Sequence, residues 1–336
     1  MAPPPPVVMM QMVMGRWVSQ AIGAAAQVGL ADRLPRGETR SADELAAAAS
    51  AHGPSVYRLL RARASVGIFA EGPPGRFAHT PLSELLRDDT PGSLKPMALF
   101  MATPEHVRAW IDIQHSVRTG ECAFTHAHGK LPWDYLHDHP ALGEIFNNAM
   151  TSFSAMAAGA VLQAYDFSGI GTLADVGGGH GFLLGSILAS RPEMRGILFD
   201  LPQVVEGAGP TLAKFGVEGR VTRQGGDFFA GAPKADAYIL KHILHDWSDA
   251  DSVRILSSVR AAAGPSARVL IVELVVEPRP GPDLAKLMDL EMLVVTSGGR
   301  ERTEPEWNAV LTQAGLRLAR IVPTMSPHKI LEAVPA

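Results

Sequence analysis

The sequence predicts an α/β protein in which a Rossmann-like, mainly parallel sheet follows a helical N-terminal region. Three observations predict it. From about residue 170 onward, apolar residues gather into short runs of buried-strand type, at Thr172 to Val176, 196–199, 235–240 and 268–276, each followed by a helical or turn segment. Directly behind the first run stands Asp175-Val176-Gly177-Gly178-Gly179-His180-Gly181, a glycine loop at a strand-to-helix junction. Between about residues 12 and 165, by contrast, apolar residues recur at helical spacing, with no strand alternation of any length.

The elements follow in order. Trp17, Val18, Ile22 and Val28 mark a first helix. Ser41-Ala42-Asp43-Glu44 starts another, with acids in its first turn, and Gly53-Pro54-Ser55 separates it from the helix over 56–66. Short strands at 68–70 and 76–78 flank Glu71-Gly72-Pro73-Pro74-Gly75, so a hairpin follows a helix-turn-helix outline, as in a winged-helix module. Arg58, Arg61 and Arg63 would meet phosphate if such a module bound DNA, but acids nearly balance bases around them, which favours a dimerisation or scaffold role. Val107, Trp110, Ile111 and Ile113 continue the helical pattern. In the sheet region, Ser248-Asp249-Ala250-Asp251 caps a helix that Gly264-Pro265 ends, and 316–322 and 329–334 supply two last strands, the final one antiparallel.

Bulk properties exclude several classes. The 336 residues carry a net charge of -4 and are 46% hydrophobic, enough for a packed core and without a general electrostatic pull toward nucleic acid or an anionic membrane. One cysteine, Cys122, forbids an intrachain disulfide framework and any multi-cysteine metal site. The apolar stretch over 7–13 lacks a basic flank and is followed by polar interruptions, so no signal peptide or membrane span is expected and a cytoplasmic location is.

Asp175 narrows the ligand. A carboxylate just before the glycines would repel a diphosphate and suits a cofactor with a cationic or amine end. Asp200, in Phe199-Asp200-Leu201-Pro202, ends the second strand at the distance expected of an acid that accepts from a ribose diol, although a cap before Pro202 is its plain alternative. Asp227, in Gly225-Gly226-Asp227-Phe228-Phe229, follows the third strand and could accept from an adenine amino group with Phe228 over the ring. An Asx turn would explain it nearly as well. Three acids at three strand ends point to an adenosine-containing ligand without a diphosphate.

These motifs, with Leu240-Lys241-His242-Ile243-Leu244-His245-Asp246-Trp247 and Gly298-Gly299-Arg300-Glu301-Arg302-Thr303, resemble over nearly the whole chain the S-adenosylmethionine-dependent small-molecule O-methyltransferases of the caffeic acid O-methyltransferase type, which include bacterial relatives acting on polyketides and other aromatic metabolites. The resemblance implies a class I methyltransferase sheet over residues 166–336, linking helices over 101–165 that line an acceptor pocket, and a winged-helix-like dimerisation domain over 1–100. It implies S-adenosylmethionine as cofactor, S-adenosylhomocysteine as product and a homodimer. It also places Gly177 against the methionine part, Asp200 on the ribose, Asp227 with Phe228 on adenine, and Lys241 in a further contact, with Asp175, Gly179, Leu201 and Gly226 completing the cofactor set. Family enzymes often carry methionine where Phe228 stands.

Methyl transfer from a sulfonium to a hydroxyl needs alignment and the removal of one proton. A phenol, with a pKa near 10, gains roughly 10²–10⁴-fold from a positioned base. His245 follows the fourth strand on the ligand side of the sheet, and the resemblance assigns it as that base. Glu273 and Glu301 are its expected partners, Glu273 at the end of an apolar strand and Glu301 in a glycine-initiated loop, where pairing with Arg300 or Arg302 is the simpler reading. His242 and His245 share a spacing found in metal sites, with Asp246 as a third donor, but a sulfonium donor needs no metal and none is expected. His126, His128, His137 and His139 lack a comparable context.

The acceptor is expected to be a small hydroxylated aromatic. Phe146, Met150, Phe153 and Met156 lie at helical spacing and Met288 and Met292 four apart; such stripes are usually core, but family helices at these places form the acceptor pocket. The alternatives are a nicotinamide-dependent oxidoreductase, a winged-helix ligand-sensing regulator, and a relative with non-methylating chemistry. They are disfavoured in turn by the absence of a G-x-G-x-x-G register over 177–185, by the missing basic face, and by the presence of His245.

Overall fold

The computed structural model describes residues 3–336. They form two compact units: one runs to Val107 and takes in Glu144–Ser152, and the other holds Arg108–Gly143 and Phe153–Ala336.

The first unit is mostly helical. Its helix Pro5–Val28 begins with prolines, whose missing N–H costs nothing in a first turn, and stops at Gly29, where φ of 67° lets the amide return to the carbonyls of Ala25 and Ala26. Ser41 opens the helix Ala42–Ala48 with a reciprocal capping box: its hydroxyl accepts from the Glu44 amide, and the Glu44 carboxylate accepts from the Ser41 amide. After the helix Gly53–Ala64, strands β2 (Phe69–Glu71) and β3 (Arg76–His79) form the expected hairpin, and β1 (Arg40–Ser41) adds to it in the antiparallel order β1-β3-β2. Leu30, Leu34, Leu45, Leu60, Phe69 and Phe77 fill the core beneath. Arg63 points into this unit and donates to the Val18 carbonyl, so it is not available to a phosphate. On Pro5–Val28, Met9, Met12, Val13 and Trp17 are between 62% and 70% exposed, an apolar face that a single chain leaves uncovered.

The second unit is built on a seven-stranded sheet. Strands β4 (Thr172–Val176), β5 (Arg195–Asp200), β6 (Val221–Gly225), β7 (Ala237–Lys241) and β8 (Arg268–Glu273) are parallel, and β9 (Leu316–Pro323) and β10 (Lys329–Pro335) close one side antiparallel, in the order β6-β5-β4-β7-β8-β10-β9. The continuous apolar runs arise because both faces are covered. Along β8, Leu270 and Val272 join the core that holds Leu184 and Ile187 of the helix Phe182–Ala189. Val269 and Ile271 join the core holding Ile255 of Asp249–Ala262 and Leu311 of Glu304–Gln313. Each such fully buried aliphatic contributes about 1.5–3 kcal/mol.

The run over 268–276 is strand only as far as Glu273, beyond which Val275 bridges to Arg302 in isolation. β6 is a polar edge strand, largely exposed, and carries no apolar run. The chain order reverses between β4 and β7, which places a crevice at the carboxyl end of β4, where ligands bind in sheets of this kind.

Candidate active site

The glycine loop occupies that crevice. Gly177, Gly179 and Gly181 hold φ of 70°, 58° and 74°, a region other residues enter only with strain. A Cβ on Gly178 would lie 2.5 Å from Leu198 and 2.6 Å from the Asp175 carboxyl carbon, and one on Gly177 would lie 2.4 Å from Ile243, so the backbone rests directly on its floor. A Cβ on Gly179 would meet nothing within 4 Å, which leaves the loop open to a closely approaching ligand. The helix Phe182–Ala189 begins immediately behind it with Gly181 as N-cap.

Asp200 reaches the loop from the end of β5. Its Oδ2 accepts from the Gly179 amide at 2.8 Å and its Oδ1 from the Leu201 amide at 2.7 Å, while burial raises its pKa. Asp227 Oδ1 accepts from the Phe229 amide at 2.8 Å, the Asx turn considered from sequence, and a Cβ on Gly226 would lie 2.4 Å from the Phe199 ring. Phe228 and Phe229 meet Trp247 edge-on, at 5.8 and 4.8 Å, and Trp133 stacks on Trp247. Asp175 lies under the loop, 2% exposed, bonded to the Leu184 amide. Burial pushes its pKa up to about 7 against the opposing charge of Lys241. Lys241, at the end of β7, is itself pushed down to about 8 by burial, opposed by Glu273, Asp175 and Asp246.

Beyond Lys241 the chain turns sharply. His242 adopts φ of 54°, and Leu244–Asp246 form a single 3₁₀ turn that presents His245. Nδ1 of His245 is 2.7 Å from Glu301 Oε1 and 3.7 Å from Glu273 Oε2, and its Nε2 is 3.5 Å from Asp246 Oδ1. All four side chains are buried or nearly so. Glu273 spends its other oxygen on the turn: Oε1 accepts from the amides of Ile243, Leu244 and His245 at 3.1, 3.1 and 3.4 Å. Burial pushes Asp246 and Glu273 up to about 7, and burial with the neighbouring Asp289 pushes Glu301 up to about 8. Burial disfavours the ionised form of each carboxyl, and a cation formed beside them offsets that cost.

Both expected carboxyl groups flank His245, and Glu301 pairs with the imidazole rather than with Arg300 or Arg302. Arg300 pairs with Glu306 instead. The structure adds residues that carried no sequence signal. His328, from the β9–β10 hairpin, sits Nε2 to Nε2 with His242 at 2.6 Å, and burial drives both imidazoles toward the neutral form, His328 to about 4. Asp289 Oδ1 accepts from the Glu301 amide at 2.9 Å. His242, His245 and Glu273 offer ligand atoms within 4.8 Å of one another, a distance that could accommodate an ion, although His245 Nδ1 and His242 Nε2 are already engaged and Lys241 adds positive charge.

Of the expected acceptor residues, Phe153 stands edge-on to His242 and His328, at 5.0 and 5.7 Å, with the Lys241 ammonium 5.8 Å from its ring centre. Met292 is buried, Met288 half-buried and Met156 exposed in the same unit; Phe146 and Met150 are half-buried in the other unit.

These shifts set a pH dependence of stability. A carboxyl whose folded pKa is raised binds its proton more tightly folded than unfolded, so its contribution is full below about pH 4 and is lost as pH rises through 7 to 8. His242 and His328, lowered, oppose that trend only below their ordinary value near 6.5, and Lys241 adds stability only above about pH 8. The melting temperature of the ligand-free protein is thus expected to fall between pH 6.5 and 8. A flat or rising melting temperature over that interval would contradict this assignment.

Comparison with known proteins agrees with the geometry. The O-methyltransferase domain model matches residues 110–317, and the O-methyltransferase dimerisation domain model matches residues 10–89. The phenazine O-methyltransferase of Lysobacter antibioticus is 44% identical over 98% of this chain and 96% of its own length. The crystal structure of LaPhzM superposes with a TM-score of 0.95 at 43% identity, covering 99% of this chain and 100% of that one. CalO1, a methyltransferase of calicheamicin biosynthesis crystallised with S-adenosylhomocysteine bound, gives 0.85 at 34% identity, with 98% of each chain covered. A chain matched nearly end to end by such proteins, with an open glycine loop between two ordered acids, belongs to the O-methyltransferase family and uses S-adenosylmethionine as its methyl donor.

Proposed function

We propose that the enzyme methylates a phenolic hydroxyl of a small aromatic metabolite, with His245 as general base. The observation that carries this reading is the 2.7 Å contact between His245 Nδ1 and the buried Glu301 Oε1. In its ionised form Glu301 keeps the proton on Nδ1, leaves the Nε2 lone pair for the acceptor and stabilises the imidazolium that follows.

The cofactor supplies an electrophilic methyl group on a sulfonium, already a good leaving group. Gly177 and Gly179 would receive its methionine part, Asp200 and Leu201 its ribose, and Gly226, Asp227 and Phe228 its adenine, with Lys241 as a further contact. Asp175 acts from beneath, holding the Leu184 amide and so the helix start behind the loop. The acceptor's proton would pass to His245 Nε2 as its oxygen takes the methyl group and the thioether S-adenosylhomocysteine leaves with the sulfur–carbon electron pair, while Glu301 takes the Nδ1–H hydrogen bond and Glu273 holds the turn by its amides. Alignment of this kind is worth several kcal/mol.

Phe153, with Met156, Met288 and Met292 of the same unit as further candidates, would supply the apolar contacts of an aromatic acceptor. The phenazine specificity in the name of the 44% identical relative favours a fused-ring phenol. The dimerisation-domain match and the exposed face at Met9, Met12, Val13 and Trp17 support a homodimer. Methyl-labelled S-adenosylmethionine, offered with fused-ring phenols and with the corresponding amines, tests the acceptor class. Label is expected on phenolic oxygen, and label on nitrogen alone would overturn it.

A further inference from the structure

We propose that Arg302 is a positioning residue for His245, a role that rests on the reading of His245 as the base. Arg302 is fully buried, and its donors converge on one short stretch of chain. Nη1 donates to the Leu244 carbonyl at 2.8 Å, Nη2 to the Trp247 carbonyl at 2.9 Å and to Ser252 Oγ at 3.1 Å, and Nε to Asp249 Oδ1 at 2.8 Å, with the guanidinium 5.1 Å from the Trp307 ring centre. Leu244 and Trp247 bracket His245 and Asp246.

The turn needs such a clamp. A single 3₁₀ turn has little rigidity of its own, and here its internal bonds are Asp246 N–H to Ile243 O at 3.1 Å and Trp247 N–H to Leu244 O at 3.3 Å. Its amides are gathered on Glu273 Oε1, and its carbonyls on Arg302. The Arg300 amide adds a bond to the His245 carbonyl at 2.8 Å, and Glu301 takes the imidazole. Residues 300–302 thus address the backbone on both sides of the base and its side chain together, so a shift of one is felt by the others. A guanidinium is suited to this because its planar fork serves two carbonyls at once, which the single ammonium of lysine does not. Its fixed charge also works against the burial that raises the pKa values of Glu273 and Glu301.

The alternative is that Arg302 merely holds the fold together, and the two roles separate in kinetics. Arg302→Lys keeps the charge and part of the bonding, so it is the variant expected to fold. It should bind S-adenosylmethionine and show an acceptor KM within about threefold of wild type while kcat falls roughly tenfold or more. Arg302→Ala should lose roughly 10²-fold in kcat and recover several-fold with added guanidinium. The double variant Arg302→Lys/His245→Ala should be no slower than His245→Ala, because a positioned group has nothing to lose once the base is gone.

A kcat within twofold of wild type in folded Arg302→Lys, a loss of cofactor affinity matching the loss of turnover, or a double variant slower by the full product of the two would each overturn the inference. His245→Ala measured alongside keeps the two ideas apart. Full turnover in that single variant removes the base reading, whereas an inactive His245→Ala beside a fully active Arg302→Lys removes only the role of Arg302.

Discussion

His245→Ala is expected to lower kcat on a phenolic acceptor by roughly 10²–10⁴-fold while binding S-adenosylmethionine within about threefold of wild type, the range a positioned general base supplies. The cofactor contacts proposed above come from β4, β5 and the segments after β6 and β7, and none uses the imidazole. Fold and affinity should therefore survive its removal. Calorimetric titration with the cofactor and turnover at neutral pH check the two halves separately, and undiminished turnover would take His245 out of the mechanism.

Glu301→Gln is expected to cost roughly 10²-fold or more in kcat with little change in KM. The amide has the shape of the carboxylate but lacks its charge, so the imidazolium formed on proton transfer loses its main partner at 2.7 Å. A glutamine can also turn its NH2 toward Nδ1, which drives the proton to Nε2 and removes the lone pair that faces the acceptor. Because Glu301 reaches His245 directly and Glu273 mainly through backbone amides, Glu301→Gln should act on kcat at once, whereas Glu273→Gln should also loosen the turn and lower the melting temperature. Equal kinetics for Glu301→Gln and wild type would contradict the assignment.

The legible parts of the chain were those in which chemistry and strand order coincide. The buried parallel strands read as continuous apolar runs because both sheet faces are covered, and Asp175, Asp200, His245 and Glu273 stood out as polar residues at or just beyond the ends of such runs. The capping box at Ser41 and Glu44 was legible for a local reason, since both partners lie within four residues. β6 was nearly silent, because an exposed edge strand needs no apolar residues, and its place followed only from the acid behind it.

Long-range partners were not legible. Glu301 sits between two arginines, so its local context suggests a solvated loop charge, and only the fold carries it 56 positions back to His245. Arg302 was ambiguous for the same reason, and its carbonyl partners have no sequence signature at all. Arg63 lay on the helix of a DNA-binding outline and proved buried, because an arginine inside a small core is paid no attention by hydrophobic spacing. His328 lies 86 residues from His242 and comes beside it only through the antiparallel pairing of β10 with β8 and β9.

The central claim is that His245 removes the acceptor's proton, and the pH dependence of kcat/KM in His245→Ala tests it most directly. Without a base the variant must rely on acceptor already ionised in solution. For a phenol with a pKa near 10, its rate should rise about tenfold per pH unit between pH 6 and 9, closing on the wild-type rate. A deficit of constant size across that range would show that the substitution damages something other than proton removal, and would contradict the account.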